Sequence, residues 1–281
     1  MFTSDEYQLL DFGDGRKLER FGGVVLERLC PAADDASPTD PGQWKQAVAC
    51  YQRTSGDNGV WQSNGAAAPS PWTIAHGPLR FELKLTDFGH LGVFPEQAAN
   101  WDWIADEVRQ AIGPLKVLNL FAYTGGSTLA AAGAGAELAH VDAARNTVAW
   151  ARHNAELSGL AEAPIRWIAE DAILFVRREL KRGNRYQAVI LDPPSYGHGP
   201  KGEIWKLAEG LPELLSLCAE LTEADRRFIL LSCHSPGFGP DELGRLMAQA
   251  FGAGKIETGE MSVGTVGRRQ LPCGAMARLA T

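Results

Sequence analysis

The chain has 281 residues, 45% hydrophobic and 22% charged, with a formal net charge of −7. That length and balance suit a globular protein with one large domain and a smaller appendage, and they exclude a fibrous or disordered chain. No run approaches the ~20 apolar residues that cross a bilayer, and the acidic balance argues against a protein that grips nucleic acid through many phosphates.

The opening residues, Met1 to Tyr7, lack the basic and apolar regions of a signal peptide. Cys30, Cys50, Cys218, Cys233 and Cys273 form no C-x-x-C pair and leave an odd one. A reducing, cytoplasmic setting follows as the expectation, with neither a disulfide frame nor a metal site. Nothing in the sequence sets the oligomeric state.

Residues 1–88 read as a small β-rich N-terminal extension. Gly22 to Leu26 and Leu79 to Leu85 carry strand-type residues, the second with partial alternation. Pro31 to Gln43 is rich in Pro, Ala, Asp and Ser and reads as an exposed loop, and Gly65 to Pro71 as a turn. Residues 89–281 read as the main domain. Trp101, Ile104, Val108 and Ile112 keep helical spacing up to Gly113-Pro114. Strands are then expected near 116–121, 137–142, 165–168, 186–191 and 227–232, and helices near 126–133, 145–158, 172–182, 205–221 and 241–250. Further strands are expected near 254–259 and 274–279. Such alternation makes an α/β fold, a mostly parallel sheet with helices on both faces.

The stretch from Val117 to Asp142 carries the first chemistry. A buried strand ends in a glycine turn, a small-residue helix follows, and a second strand closes on an acid. That layout makes a nucleoside-shaped crevice, with the acid near the ~20-residue spacing that lets it accept ribose hydroxyls. The turn Tyr123-Thr124-Gly125-Gly126-Ser127 contains no G-x-G-x-x-G. No pyrophosphate cradle is written, which disfavours an NAD-dependent oxidoreductase and favours an adenosine ligand without phosphates.

Phe121-Ala122-Tyr123-Thr124-Gly125-Gly126 resembles the first motif of the class I S-adenosylmethionine (SAM)-dependent methyltransferases, and more narrowly that of the large-subunit (23S) ribosomal RNA cytosine-C5 enzymes. The resemblance runs from about Asp87 to the C-terminus and implies a Rossmann-like methyltransferase sheet with SAM as cofactor. It implies donor contacts by Asn119, Phe121, Ala122, Tyr123, Thr124 and Gly125, a ribose contact by Asp142, and an adenine contact by Asp171. Both acids are also plausible helix caps. His90 to Gln97 resembles a segment that closes over SAM, implying contacts by Phe94 and Gln97. The family commonly has an Arg soon after that Gln, where this chain has Ala98-Ala99.

Asp192-Pro193-Pro194-Ser195-Tyr196 resembles the fourth motif, where the loop meets both the methyl donor and the target base. The prolines fix the local chain and withhold backbone donors. Amino-group methyltransferases usually place an aromatic directly after the prolines, and here Ser195 intervenes. Ser232-Cys233 resembles the sixth motif of RNA pyrimidine-C5 methyltransferases. The implied roles are Cys233 as nucleophile and Asp192 as the residue that holds the base and supports proton handling. A free Cys is also often a small buried hydrophobe.

The leading expectation is methylation of cytosine carbon 5 in ribosomal RNA. Two alternatives stay open: an N-methyltransferase acting on guanine or a protein side chain, and a SAM- or RNA-binding module without turnover. The RNA would meet a local basic patch, Arg177, Arg178, Lys181, Arg182 and Arg185, unless that stretch is only a solvated helix end. Trp205, Lys201 and Lys206 are further candidates for a base and backbone contact, with a solvated loop as the plain alternative.

Overall fold

The computed structural model describes residues 1–56, 58–65, 68–252 and 254–281. They gather into two compact units, Met1–Ala98 with Ser262–Cys273, and Ala99–Met261 with Gly274–Thr281. Among the described residues, no helix is long and apolar enough to cross a membrane.

The first unit is β-rich, as its composition implies. Strands β1 (Tyr7–Gly13), β2 (Arg16–Phe21), β3 (Val24–Leu29), β4 (Ala49–Ser55) and β5 (Asn58–Ser63) form one sheet in chain order, and β6 (Trp72–His76) and β7 (Leu79–Leu83) form a separate hairpin. Alternation buries Val24 and Leu26 of β3, and Leu79, Phe81 and Leu83 of β7. The expected Pro31–Gln43 loop carries 3-10 turns at Pro31–Ala33 and Gln43–Gln46. Of the expected Gly65–Pro71 turn, residues 66 and 67 lie outside the described residues.

Two buried acids organise this unit. Glu19 accepts from the Tyr7 hydroxyl at 2.9 Å and from Arg28 Nε at 2.8 Å. Asp11 is more heavily bonded. Its Oδ1 accepts from Phe12 N at 2.9 Å, Thr39 Oγ1 at 2.8 Å and Arg269 Nη1 at 3.0 Å. Its Oδ2 accepts from Thr39 N at 2.9 Å, Asp40 N at 3.2 Å and Trp44 Nε1 at 3.0 Å. Burial pushes the Asp11 carboxyl up, but the bonds from Trp44, Asp40, Thr39 and Phe12 outweigh it and hold it below the usual range.

The second unit is the alternating region. After α1 (Ala98–Gln110) come β8 (Lys116–Leu120), α2 (Gly126–Gly133), β9 (Glu137–Asp142), α3 (Arg145–Leu157), β10 (Ile165–Ala169), α4 (Ala172–Lys181) and β11 (Ala188–Leu191). A short hairpin, β12 (Tyr196–His198) and β13 (Ile204–Lys206), precedes α5 (Leu207–Thr222), β14 (Phe228–Cys233), α6 (Pro240–Phe251), β15 (Ile256–Gly264) and β16 (Gln270–Ala280). The expected helix through Ile112 ends at Gln110, so Ile112 falls past it and is exposed.

The main sheet runs β10-β9-β8-β11-β14-β16-β15. β8 to β11 and β14 pair in parallel, and β16 joins β14 antiparallel. Every residue of Ala-Val-Ile-Leu in β11 and Phe-Ile-Leu-Leu-Ser-Cys in β14 is buried, the signature of central strands covered on both faces. Strand order reverses between β8 and β11, and that reversal opens the crevice at the carboxyl edge.

The density of bonds on Asp11 sets an expectation. Asp11→Ala should lower stability by about 3–5 kcal/mol, because it leaves Arg269 and the 39–44 donors without their acceptor. Denaturant unfolding reads this. The folded carboxyl lies below its unfolded value, so its contribution is present above about pH 4. It is lost as pH falls through the folded value, and the wild-type and Asp11→Ala curves should converge there.

Candidate active site

Register alone assembles the site. Ala169 pairs with Asp142, Leu120 with Val141 and with Leu191, and Leu191 with Leu231. One step further along, Asp142, Phe121, Asp192 and Ser232 therefore occupy a single row at four neighbouring strand ends. All four sit at the carboxyl edge, two on either side of the strand-order reversal.

The turn after β8 is conformationally expensive. Phe121 has φ 53°, Tyr123 φ 49° and Gly125 φ 93°, all left-handed. For bulky residues this costs about 1–3 kcal/mol each. The Ala122 N–H donates to Val141 O at 3.1 Å, and the Tyr123 N–H donates to Asp142 Oδ2 at 2.9 Å. Asn154 of α3 is fully buried and donates its amide to Thr124 O at 3.0 Å. At Gly125 an added Cβ would also stand 3.2 Å from the Ala151 Cβ, so only glycine suits both φ and space. Gly126 is required differently, since an added Cβ would strike the Trp101 ring.

Asp142 does not cap α3, whose N-cap is Ala144 without a side-chain bond. Its Oδ1 accepts from Ala144 N at 3.0 Å, and its Oδ2 takes the Tyr123 N–H. Each carboxylate oxygen has capacity for a second donor, which is what two ribose hydroxyls require. Burial pushes this carboxyl up, with the Ala144 and Tyr123 bonds opposing. Asp171 does cap its helix: its Oδ1 accepts from Leu174 N at 2.9 Å, leaving the other oxygen for an amino group.

Asn119 faces inward instead. Its amide donates to Thr128 Oγ1 at 2.9 Å, and Thr128 Oγ1 lies 2.9 Å from His140 Nδ1. The Thr128 hydroxyl, with one proton and two lone pairs, accepts from Asn119 and can either donate to Nδ1 or accept from it. This three-residue chain lies beneath the turn, joining β8, α2 and β9. Burial drives the His140 pKa down to about 3, opposed by the Tyr123 backbone, so the ring is neutral. Phe94 and Gln97 belong to the first unit. There Phe94 precedes the Pro95–Gln97 turn with its ring 5.3 Å from that of His90, and Gln97 is buried.

On the other side of the reversal, Ser232 Oγ donates to Asp192 Oδ1 at 2.8 Å, and Ser195 Oγ lies 2.6 Å from Ser235 Oγ. Cys233 is 0% exposed and packs in the core. Burial pushes its thiol up, partly opposed by Ser235, whose N–H reaches Sγ at 3.5 Å, while the Asp192 charge adds to the rise. The thiol is thus not activated in this conformation. Trp205 is buried, so it is not a base-stacking surface. Its ring lies 4.8 Å from that of Phe121, and its Nε1 donates to Pro194 O at 2.7 Å. That contact ties the Asp192 turn to the donor turn. Lys206 pairs with Glu209 at 3.0 Å.

The basic stretch is largely neutralised. Arg177 pairs with Glu213, Arg178 with Glu170, and Arg182 with Glu179. Asn154, His140 and Trp205 are contributors that the motifs do not reveal. Their one signal is a polar or bulky residue on an apolar face: Asn154 follows Val148 and Ala151 at helical spacing.

A glycine turn at a strand-order reversal, an acid at the neighbouring strand end and an Asp-Pro-Pro turn on the same row are the layout of a class I methyltransferase fold. The chain belongs to the S-adenosylmethionine-dependent methyltransferase family, whose model matches residues 27–252. It is similar to ribosomal RNA large subunit methyltransferase I of Aeromonas salmonicida, 30% identical over 175 residues, covering 60% of this chain and 42% of that protein. The Klebsiella pneumoniae protein of the same name is 25% identical over 248 residues, covering 82% of this chain and 60% of its own. The chain thus spans less than two thirds of the length of these curated relatives. Among solved structures it resembles a SAM-dependent methyltransferase from Agrobacterium tumefaciens, with TM-score 0.92 and 36% identity over 98% of this chain and 90% of that one.

The residues present fit the family's cofactor, since the remaining acceptor capacity on Asp142 and Asp171 matches the donors of an adenosine. Asp142→Asn should weaken S-adenosylhomocysteine binding by about 10- to 100-fold, the worth of hydrogen bonds to a charged acceptor. Calorimetry reads this. His140 gives a pH signature. Its folded pKa lies below the unfolded ~6.5, so the unfolded chain binds the proton first and stability falls as pH drops below that value. A loss of about 2 kcal/mol between pH 7 and pH 5 is expected, and His140→Gln should flatten that slope in thermal unfolding.

Proposed function

We propose that this chain transfers the methyl group of SAM to a nucleobase of large-subunit ribosomal RNA, in the cytoplasm. The observation that carries this reading is the single register row of Asp142, Phe121, Asp192 and Ser232, which sets a nucleoside site beside an Asp-Pro-Pro turn. Bound there, SAM supplies an electrophilic methyl group on a sulfonium sulfur. Asp142 accepts the ribose hydroxyls, Asp171 meets the adenine amino group, and Phe121 to Gly125 shape the floor. Asp192 and Pro193 border donor and acceptor together. Asn119 acts from beneath through Thr128, and the parts assigned to Phe94 and Gln97 rest on the sequence resemblance. RNA as the acceptor is supported by the names of the similar curated proteins.

The finer reading is cytosine carbon 5, supported by Ser232-Cys233. Carbon 5 is a poor nucleophile, and a thiolate adding to carbon 6 makes it enamine-like. Loss of the carbon-5 proton then expels the thiol. For this, RNA binding must bring Cys233 out of the core. Its full burial favours a second reading, in which the acceptor is a nitrogen and Cys233 is structural.

Nucleoside mass spectrometry of ribosomal RNA from a deletion strain and its parent tests the first statement, with loss of one methylated nucleoside expected, 5-methylcytidine under the finer reading. Cys233→Ala tests the second. Under carbon-5 chemistry, turnover on the RNA should fall by about 10³-fold or more, while turnover within threefold of wild type would transfer the case to nitrogen.

A further inference from the structure

His234 follows Cys233 where β14 ends. β11 and β14 are adjacent and parallel, and at their ends two turns leave the sheet side by side. They are cross-linked by Ser232 on Asp192 and by Ser195 against Ser235. Within the same bracket, His234 Nε2 lies 3.5 Å from Asp192 Oδ1, and the two side chains are 32% and 29% exposed. That separation is ion-pair reach rather than a tight hydrogen bond. Sites of this kind commonly tighten only when substrate arrives.

The sides taken by consecutive residues matter here. Ser232 and His234 both turn toward Asp192, while Cys233 between them turns into the core. That is the alternation of an extended chain. The half-open side of this strand end therefore carries an imidazole and a carboxylate, not a thiol. A carboxylate that orients a partly exposed imidazole beside a reacting group is the arrangement of a general base.

Building on the proposed methyl transfer, we propose that His234, held by Asp192, takes the proton that the acceptor base releases on methylation. The acceptor is then a position that carries a hydrogen, either cytosine carbon 5 or an exocyclic amine. A ring nitrogen with a free lone pair, such as guanine N7, is excluded because it loses no proton. The balance is simple. The acceptor atom bonds to the methyl carbon as the sulfonium–methyl bond breaks, leaving a neutral thioether. The electron pair of the acceptor's bond to hydrogen returns to the base, staying on nitrogen for an amine and re-forming the carbon 5–carbon 6 double bond with expulsion of the thiolate for carbon 5, while the proton goes to the imidazole, which passes it to solvent.

Two measurements test this. The first uses the protein without ligand: NMR titration of the His234 ring, which faces the Asp192 carboxylate and follows the Cys233 thiol in the chain. Asp192→Asn should move the midpoint down, because the carboxylate favours the imidazolium; an unmoved midpoint overturns the pairing. The second is single-turnover methyl transfer to ribosomal RNA. His234→Ala should slow it by about 10²-fold or more, with added imidazole restoring part of the rate and S-adenosylhomocysteine affinity kept within threefold. If wild type transfers methyl and His234→Ala stays within threefold of it, the base role falls and the methyltransferase reading stands. If wild type transfers nothing to RNA, both fall together.

Discussion

The site depends on one interaction, the Asp142 carboxylate under the turn that follows β8. Phe121 and Tyr123 both stand at positive φ, at a combined cost of about 2–6 kcal/mol. A turn with that cost persists only where the surroundings over-determine it. The bond from Tyr123 N to Asp142 is charge-assisted and contributes about 1.5–3 kcal/mol, and the Ala122 N–H on Val141 O and the Asn154 amide on Thr124 O add to it. The dependence is mutual. Burial penalises the Asp142 charge, and the Tyr123 N–H that holds the turn is, with the Ala144 N–H, what keeps that charge tolerable. Both oxygens are thus engaged by the fold itself, and the proposed ribose contact would add to the same two atoms.

The layers beneath serve the same turn. Asn154 holds the Thr124 carbonyl from α3, and Asn119, Thr128 and His140 fill the space below with a connected set of donors and acceptors. A buried polar chain of this type is rigid only while each link is satisfied. Keeping His140 neutral is therefore a structural requirement, since a charged imidazole would need a partner the apolar surroundings do not supply. Trp205 completes the arrangement from the acceptor side, with its ring on Phe121 and its indole N–H on Pro194. A change in the Asp192 turn is therefore felt at the donor turn through one side chain.

Much of this was legible in the residues. Apolar runs bounded by glycines and acids marked each central strand within two residues, because strands buried on both faces have little freedom in composition. The Asp142 and Asp192 positions were legible for the same reason: each is the first polar residue where a buried strand meets the crevice. What escaped were roles set by three-dimensional neighbours. Asn119 lies in the motif stretch, yet pairing with Thr128 turns it inward. Trp205 and Lys206 read as an open loop but form half of a hairpin, with Trp205 in the core. The arginines from Arg177 to Arg182 read as a cationic patch, and their glutamate partners, from Glu170 to Glu213, are too scattered in the chain to be counted against them.

These pairings bear on how the acceptor is held. With a net charge of −7 and much of the basic stretch paired, phosphate attraction would supply little of the grip on the proposed RNA, and recognition would fall to the shape and hydrogen bonds of the site itself. The acceptor side is built for that. Ser195, Asp192, Ser232, His234 and Ser235 interlock two turns at the strand ends, so a base entering there meets fixed polar groups rather than mobile ones. Cys233 stands one residue from this surface but faces the core. For the thiol to reach a pyrimidine, the end of β14 must rotate, which would break the Ser232 and His234 contacts with Asp192. For the imidazole to act, nothing in the fold has to move. The same strand end therefore holds a half-exposed imidazole beside a carboxylate and a buried thiol, and of the two proposed roles the resting geometry already suits that of the imidazole.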